Sequence, residues 1–229
     1  MHTLIFATNN QHKVQEIQSL VGPDFNIIPL KDAGIDIDIP EPHDTLIDNA
    51  AEKANTIFNI THQNCFSEDT GLEIEALNGA PGVKSARYAG EGRDFQANID
   101  KVMLNLDGIV NRNAQFRTVI CLLWQDATKG LQTYYFEGIC KGKIATEMHG
   151  EKGFGYDPIF IPDGADKSFA QMTMDEKNSF SHRQKAVTKL FEFLRAQQLF
   201  KVQSKKLLND WGSSIPNMPT FFGLYMQHL

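Results

Sequence analysis

Over the first sixty residues the apolar positions switch spacing repeatedly, and these switches restrict the fold more than any other feature of the chain. The run Leu4-Ile5-Phe6-Ala7 is short, continuous and ends at the polar Thr8-Asn9-Asn10, the pattern of a buried strand giving way to a loop. Val14, Ile17 and Val21 then recur at steps of three and four, as on one face of a helix. Residues 25–30 read as a second strand. Thr45 precedes Asp48 by three positions, a capping-box spacing, and Leu46, Ala50, Ala54 and Ile57 continue at helical steps, so a helix is expected to about Ile57.

Farther along, residues 65–76 predict a bent strand interrupted at Ser67-Glu68-Asp69-Thr70-Gly71, followed by a Gly/Pro-marked loop over 78–92. Ile99, Val102, Met103 and Leu106 give a helix packed on a core. Stretches 116–124 and 131–139 are strand-like and joined by a polar turn, so they predict a long hairpin. Ser181-His182-Arg183-Gln184 opens a last helix, with Val187, Leu190, Phe191 and Leu194 on its apolar face. Strands alternate with helices at both ends while the middle is a hairpin, so the expected class is α/β: a long mixed β-sheet flanked by helices. The pattern fails from about Gln198, which divides the chain into a domain over 1–197 and a tail over 198–229. Phe221, Phe222, Leu224 and Tyr225 in that tail would form an exposed apolar patch unless covered.

A chain of 229 residues holds one full globular domain with room for two lobes. Its formal net charge of -6 argues against a broad electrostatic grip on nucleic acid, though not against a single nucleotide held by a few local cations and a metal. No apolar run approaches the ~20 residues that span a bilayer, and Met1-His2-Thr3 does not begin a targeting segment. Cys65, Cys121 and Cys140 are odd in number and far apart, which suits reduced thiols in cytoplasm.

Four clusters carry chemistry. Thr8-Asn9-Asn10 and Lys13 lie where a strand yields to a helix, a junction whose backbone N–H groups favour phosphate, although Asn also serves simply as a cap there. Glu41, Glu68 and Asp69 offer the oxygen ligands that magnesium prefers, yet each read singly is also an ordinary surface acid. Asn49 and Lys53 share one helix face, where the lysine suits a phosphate, a carboxylate or plain solvent. Gly153-Phe154-Gly155-Tyr156-Asp157-Pro158 sets an aromatic ring among glycines, where a base can stack; Lys177 and Ser181-His182-Arg183 follow with directional donors.

In this order and at these separations, the motifs resemble those of the inosine triphosphate pyrophosphatase family, the non-standard purine NTP pyrophosphatases. They are Thr8-Asn9-Asn10-x-x-Lys13, Glu41, Thr45-x-x-Asp48-Asn49-Ala50-x-x-Lys53-Ala54, Glu68-Asp69-Thr70-Gly71-Leu72, Gly79-Ala80-Pro81-Gly82-x-x-Ser85-Ala86-Arg87-Tyr88, Gly153 to Pro158, and Ser181-His182-Arg183. The resemblance covers about residues 1–195. It implies a two-lobed α/β fold with the nucleotide in the cleft between lobes, usually as a homodimer, and hydrolysis of ITP, dITP or XTP to monophosphate and pyrophosphate with Mg2+. It makes Thr8, Asn9, Asn10 and Lys13 a triphosphate loop and brings Lys53 near the phosphates. Asp69 becomes proton acceptor and metal ligand, Glu41 an acid beside the metal, and Thr70 a substrate contact. Phe154, Gly155, Tyr156, Asp157, Lys177, His182 and Arg183 become the region that holds the base. His43 stands where glycine is usual, and Glu68 where aspartate is commoner. A pyrophosphatase for other modified nucleotides and a non-catalytic nucleotide-binding module are the competing readings.

Overall fold

The computed structural model describes residues 2–21, 25–126 and 128–212. Strand β1 (His2–Phe6) is followed by helix α1 (Gln11–Gln18) and by β2 (Phe25–Pro29), which pairs with β1 in parallel. Helix α2 (Leu46–Thr61) leads to β3 (Cys65–Ile74), on the other side of β1. After the short β4 (Pro81–Gly82) and α3 (Phe95–Asn105) come the two longest strands, β5 (Asn113–Asp126) and β6 (Gly130–Ile144). Strand β7 (Phe160–Pro162), α4 (Met174–Phe180) and α5 (His182–Gly212) complete the described chain. The seven-stranded sheet runs β2-β1-β3-β5-β6-β7, with β4 also on β3; β2, β1 and β3 are parallel and the remaining pairs antiparallel. The expected mixed α/β architecture is therefore the observed one.

Three packed clusters give the two lobes. On one face of the sheet Ile17 of α1 and Val187, Leu190 and Phe191 of α5 bury Leu4, Phe66, Ile120 and Leu122. On the opposite face Leu46, Ala50, Ala54 and Ile57 of α2 cover Ile5, Cys65, Val119 and Cys121. The far halves of β3, β5 and β6 form a separate core, in which Leu72, Ile74, Phe116 and Cys140 meet Ile99 and Val102 of α3 together with Phe160 and Phe169. Each long strand thus threads both lobes. Gly138 of β6 lets α5 cross closely: a Cβ there would lie 2.0 Å from the His182 carbonyl oxygen.

Several expectations are corrected. The strand over 65–76 is not interrupted; β3 runs straight through Ser67-Glu68-Asp69-Thr70-Gly71, because all five pair in register with β5. The hairpin is longer at both ends than its apolar stretches. Helix α2 continues to Thr61 and stops at His62, whose left-handed φ of 52° breaks the helix. The Thr45 hydroxyl caps the Asp48 N–H, as the spacing implies, but its own proton goes to Asp48 Oδ2 at 2.5 Å. Val21 lies beyond α1 and still packs on the first core. Helix α5 runs past Gln198 to Gly212, and the apolar residues from Phe221 onward lie outside the described residues. All three cysteines are free and buried. Among the described residues no helix is long and apolar enough to cross a membrane.

Candidate active site

The sheet topology opens a gap beside β3. Strand β1 reaches β3 only at Ile5↔Cys65 and Phe6↔Phe66, and β4 takes up Leu72 and Glu73, so residues 67–71 have a strand partner on the β5 side alone. The gap lies past the carboxyl end of β1, and the helices following β1 and β2 lie on opposite faces, the switch point where open α/β sheets bind ligands. A cleft of about 420 Å³ occupies it, lined from one lobe by Thr8, Lys13 and Lys53 and from the other by Leu72, Phe116 and Phe154.

Alternation along β3 sends successive side chains to opposite faces. Glu68 turns toward α1 and α5. Its Oε1 takes Lys13 Nζ at 2.9 Å and Arg183 Nη2 at 2.9 Å, and its Oε2 takes Arg183 Nε at 2.7 Å. Arg183 Nη1 donates to Glu16, whose other oxygen holds Lys177 Nζ at 2.7 Å; Lys177 also reaches Asp157 Oδ2 at 2.7 Å. Both oxygens of Glu16 and both of Glu68 are therefore bonded. Despite burial, which opposes charge, Arg183 and Lys13 hold the Glu68 carboxyl well below the ordinary range, and Arg183 and Lys177 lower that of Glu16. Thr70 Oγ1 shares a hydrogen bond of 2.6 Å with Thr118 Oγ1 and lies 3.5 Å from Arg183 Nη2.

Asp69 turns the other way, toward α2. Lys53 Nζ donates to Asp69 Oδ1 at 2.9 Å and to Glu41 Oε1 at 2.7 Å, while Arg87 Nη1 meets Glu41 Oε2 at 3.2 Å. The opposing causes leave the two acids apart. Burial pushes the Asp69 carboxyl above its usual value, whereas Lys53 leads the cations that bring the more exposed Glu41 down to about 2. Asp69 Oδ2 is buried and has no hydrogen-bond partner among the described residues. Asn49 fixes the loop bearing Glu41 by accepting from the His43 N–H at 2.9 Å and donating to the His43 carbonyl at 3.0 Å. The His43 side chain faces Glu52 at 3.6 Å, so the unusual residue leaves Glu41 uncrowded.

At the other end of the cleft, Phe154 stacks on His12 with centroids 5.0 Å apart and an interplanar angle of 12°. Gly153 is required where it stands: its φ is +79° and a Cβ would lie 2.1 Å from Asp157 Oδ2. That oxygen accepts the Phe154 N–H at 2.9 Å and so fixes the ring. Gly155 also lines the cleft, with φ +61°. The Tyr156 ring is buried in the second core and its hydroxyl donates to the Ser85 carbonyl. His182 lies flat on Phe116 at 4.6 Å; burial and the nearby Arg183 and Lys177 keep it neutral, and its Nδ1 has no partner among the described residues.

The side chains of Asn9 and Asn10 have local tasks. Asn10 caps α1 by accepting from the His12 and Lys13 N–H groups, Asn9 donates to the Ile37 carbonyl, and Thr8 Oγ1 accepts from the Asn10 N–H. Thr8, Asn9, Asn10, Lys13, Glu41, Lys53, Asp69, Thr70, Phe154, Gly155, Tyr156, Asp157, Lys177, His182 and Arg183 all line one cleft, whereas the candidates Asn49 and Glu68 are buried and do not line it. Sequence reasoning missed Glu16, Arg87, Thr118 and His12. Arg87 stood inside a quoted motif and Glu16 one helical step from Lys13, but neither carried a signal that separates it from a solvated charge.

The model of the Ham1 family matches residues 4–193. A dITP/XTP pyrophosphatase of Flavobacterium psychrophilum is 47% identical over 192 residues, covering 84% of this chain and 98% of that one. One from Porphyromonas gingivalis is 48% identical over 195 residues, covering 85% and 98%. Among solved structures, the Staphylococcus aureus Ham1 protein superposes with a TM-score of 0.76 at 37% identity, covering 85% of this chain and 99% of its own. The Mycobacterium abscessus nucleoside-triphosphatase / dITP/XTP pyrophosphatase does so with 0.67 at 34% identity, covering 82% and 98%. With both lobes and every motif of the cleft inside the matched span, the chain belongs to the Ham1 family.

Proposed function

We propose that this chain hydrolyses deaminated purine nucleoside triphosphates, ITP, dITP and XTP, to the monophosphate and pyrophosphate. The observation that carries the reading is the buried, unpartnered Oδ2 of Asp69, a residue lining the cleft that Lys13, Lys53 and the stacked Phe154 ring also line. Relatives bearing the name dITP/XTP pyrophosphatase support the substrate class.

The donor set fits a hard divalent cation, and we assign magnesium. Asp69 Oδ2 lacks a partner and Glu41 is the second oxygen donor, while no group of three or more His, Cys, Asp or Glu side chains is assembled among the described residues. Two carboxylates with substrate oxygens and water making up the rest is the usual magnesium arrangement. When bound, the cation neutralises charge developing on phosphate oxygens.

The Asp69 carboxylate, held in place because Lys53 anchors Oδ1, orients or deprotonates the water that attacks the α-phosphorus. Lys13 and Lys53 face the phosphates and the departing pyrophosphate. Thr8, Asn9 and Asn10 shape the phosphate loop, through backbone groups since their side chains are engaged locally. Thr70 contacts the substrate beside Asp69. The base meets the Phe154–His12 stack, with Gly155, Tyr156, Asp157 and Lys177 forming its rim. The purine 6-keto group is read at the His182–Arg183 end, where a 6-amino group would set donor against donor. We further propose a homodimer acting in the cytoplasm on free nucleotides, with residues 1–197 as the catalytic unit and the remainder an appendage.

Pyrophosphate release from ITP, XTP, ATP and GTP, each with magnesium and with a chelator, tests this. Metal-dependent release from ITP and XTP alone is expected; no release from any of the four sinks the purine reading.

A further inference from the structure

Lys53 is positioned to control how a divalent cation reaches this cleft. The residue is 6% exposed, and its ammonium lies between the two acids, 2.7 Å from Glu41 Oε1 and 2.9 Å from Asp69 Oδ1. Arg87 closes the other oxygen of Glu41. The chain therefore supplies two cations of its own to two carboxylates, and Lys13 is near enough to act on both acids. A divalent ion arriving alone would add two positive charges a few ångströms from these groups and would gain one uncommitted oxygen, Asp69 Oδ2.

We infer that Lys53 is a built-in counter-ion that bars free divalent cations from the Glu41–Asp69 pair, so that the metal enters together with the nucleotide's phosphates and not ahead of them. This rests on the proposed reading of the site as a metal-assisted pyrophosphatase. A triphosphate reverses the local balance. Its oxygens are new anionic partners for Lys13, Lys53 and Arg87, and they leave the carboxylates short of positive charge just as a cation carried on the phosphates comes within reach of Asp69 Oδ2. Selection is then for the metal–nucleotide complex, and a cytosolic divalent ion does not occupy the cleft between turnovers.

The test is binding of Mn2+ alone to the full chain, followed by loss of the free-ion paramagnetic resonance signal without nucleotide. The wild-type protein is expected to leave the signal intact, and Lys53→Gln to deplete it with at least ~10-fold tighter binding, the scale of an ordinary coupling between sites. The double variant Lys53→Gln, Asp69→Asn should return to wild-type behaviour. Should Lys53→Gln not fold, Lys53→Met refills the same volume and gives the same reading. Wild-type binding as tight as that of the lysine variant, or variant binding that survives Asp69→Asn, overturns the inference. The readout needs no turnover. Lys53-dependent exclusion of Mn2+ without hydrolysis of any nucleotide removes the activity reading alone, and hydrolysis of ITP by a protein that already binds free Mn2+ tightly removes this one alone.

Discussion

Glu68 and Asp69 are neighbours on β3, both buried, and live in opposite circumstances. Glu68 has four bonds from Lys13, Arg183 and Thr70, and its cluster extends through Glu16 to Lys177 and Asp157. Asp69 has one ammonium on one oxygen and none on the other. A saturated buried cluster has little to gain from a ligand and much to lose from a missing member, whereas an unsaturated carboxylate is strained until something arrives. The first group is therefore held together by its own bonds, and the second is the one with an oxygen left for a ligand, in keeping with the role proposed for Asp69.

The largest effect expected from this contrast is on rate. Asp69→Asn keeps the shape and removes the proposed proton acceptor, so turnover of ITP should fall by roughly 10²–10⁴-fold with little change in KM. Its melting temperature should hold or rise, since burial already disfavours the Asp69 charge. Near-normal turnover would dissolve the distinction. Arg183→Met should do the converse to the fold, because it removes three bonds from two buried acids and leaves Glu68 with Lys13, and Glu16 with Lys177, as their remaining cations; a loss of about 3–5 kcal/mol in denaturant unfolding is expected. A loss within the range of surface substitutions would show that the cluster is not scaffold.

The smallest effect is on pH dependence. His182 belongs to the scaffold side, and burial first, then Arg183 and Lys177, hold its pKa well below the ordinary 6.5. The unfolded chain takes up a proton near that pH which the folded chain refuses, so this stability is complete above 6.5 and declines as pH falls, by up to about 1.4 kcal/mol per unit. His182→Asn should flatten that part of the stability curve, and an unchanged slope would place the proton uptake elsewhere.

The sequence made much of this fold legible because apolar spacing reports which face of an element is buried, as Leu46, Ala50, Ala54 and Ile57 did for α2. It misread β3 for the same reason. A polar run from Ser67 to Gly71 looks like a loop unless the sheet is known to be open on one side at that level. Motif order brought Lys13, Lys53, Glu41 and Asp69 forward as candidates. Their partners were hidden, since Glu16 meets Lys177 and Arg183 across 161 and 167 positions and no local pattern reports such a meeting. His12 escaped notice because its neighbour Phe154 comes from the other lobe.

The unbroken pairing of β3 with β5, from Cys65↔Leu123 to Ile74↔Ala114, constrains insertions more than substitutions. One residue added or removed between Cys65 and Glu68 would deliver Asp69 to the arginine and Glu68 to the lysine, exchanging scaffold and reagent at a stroke. The strand's reading frame thus decides which carboxylate keeps an unbonded oxygen. Length variation belongs in the turn between β5 and β6, where an extra residue shifts no carboxylate, and a library of single-codon insertions between Cys65 and Glu68 should yield no active member.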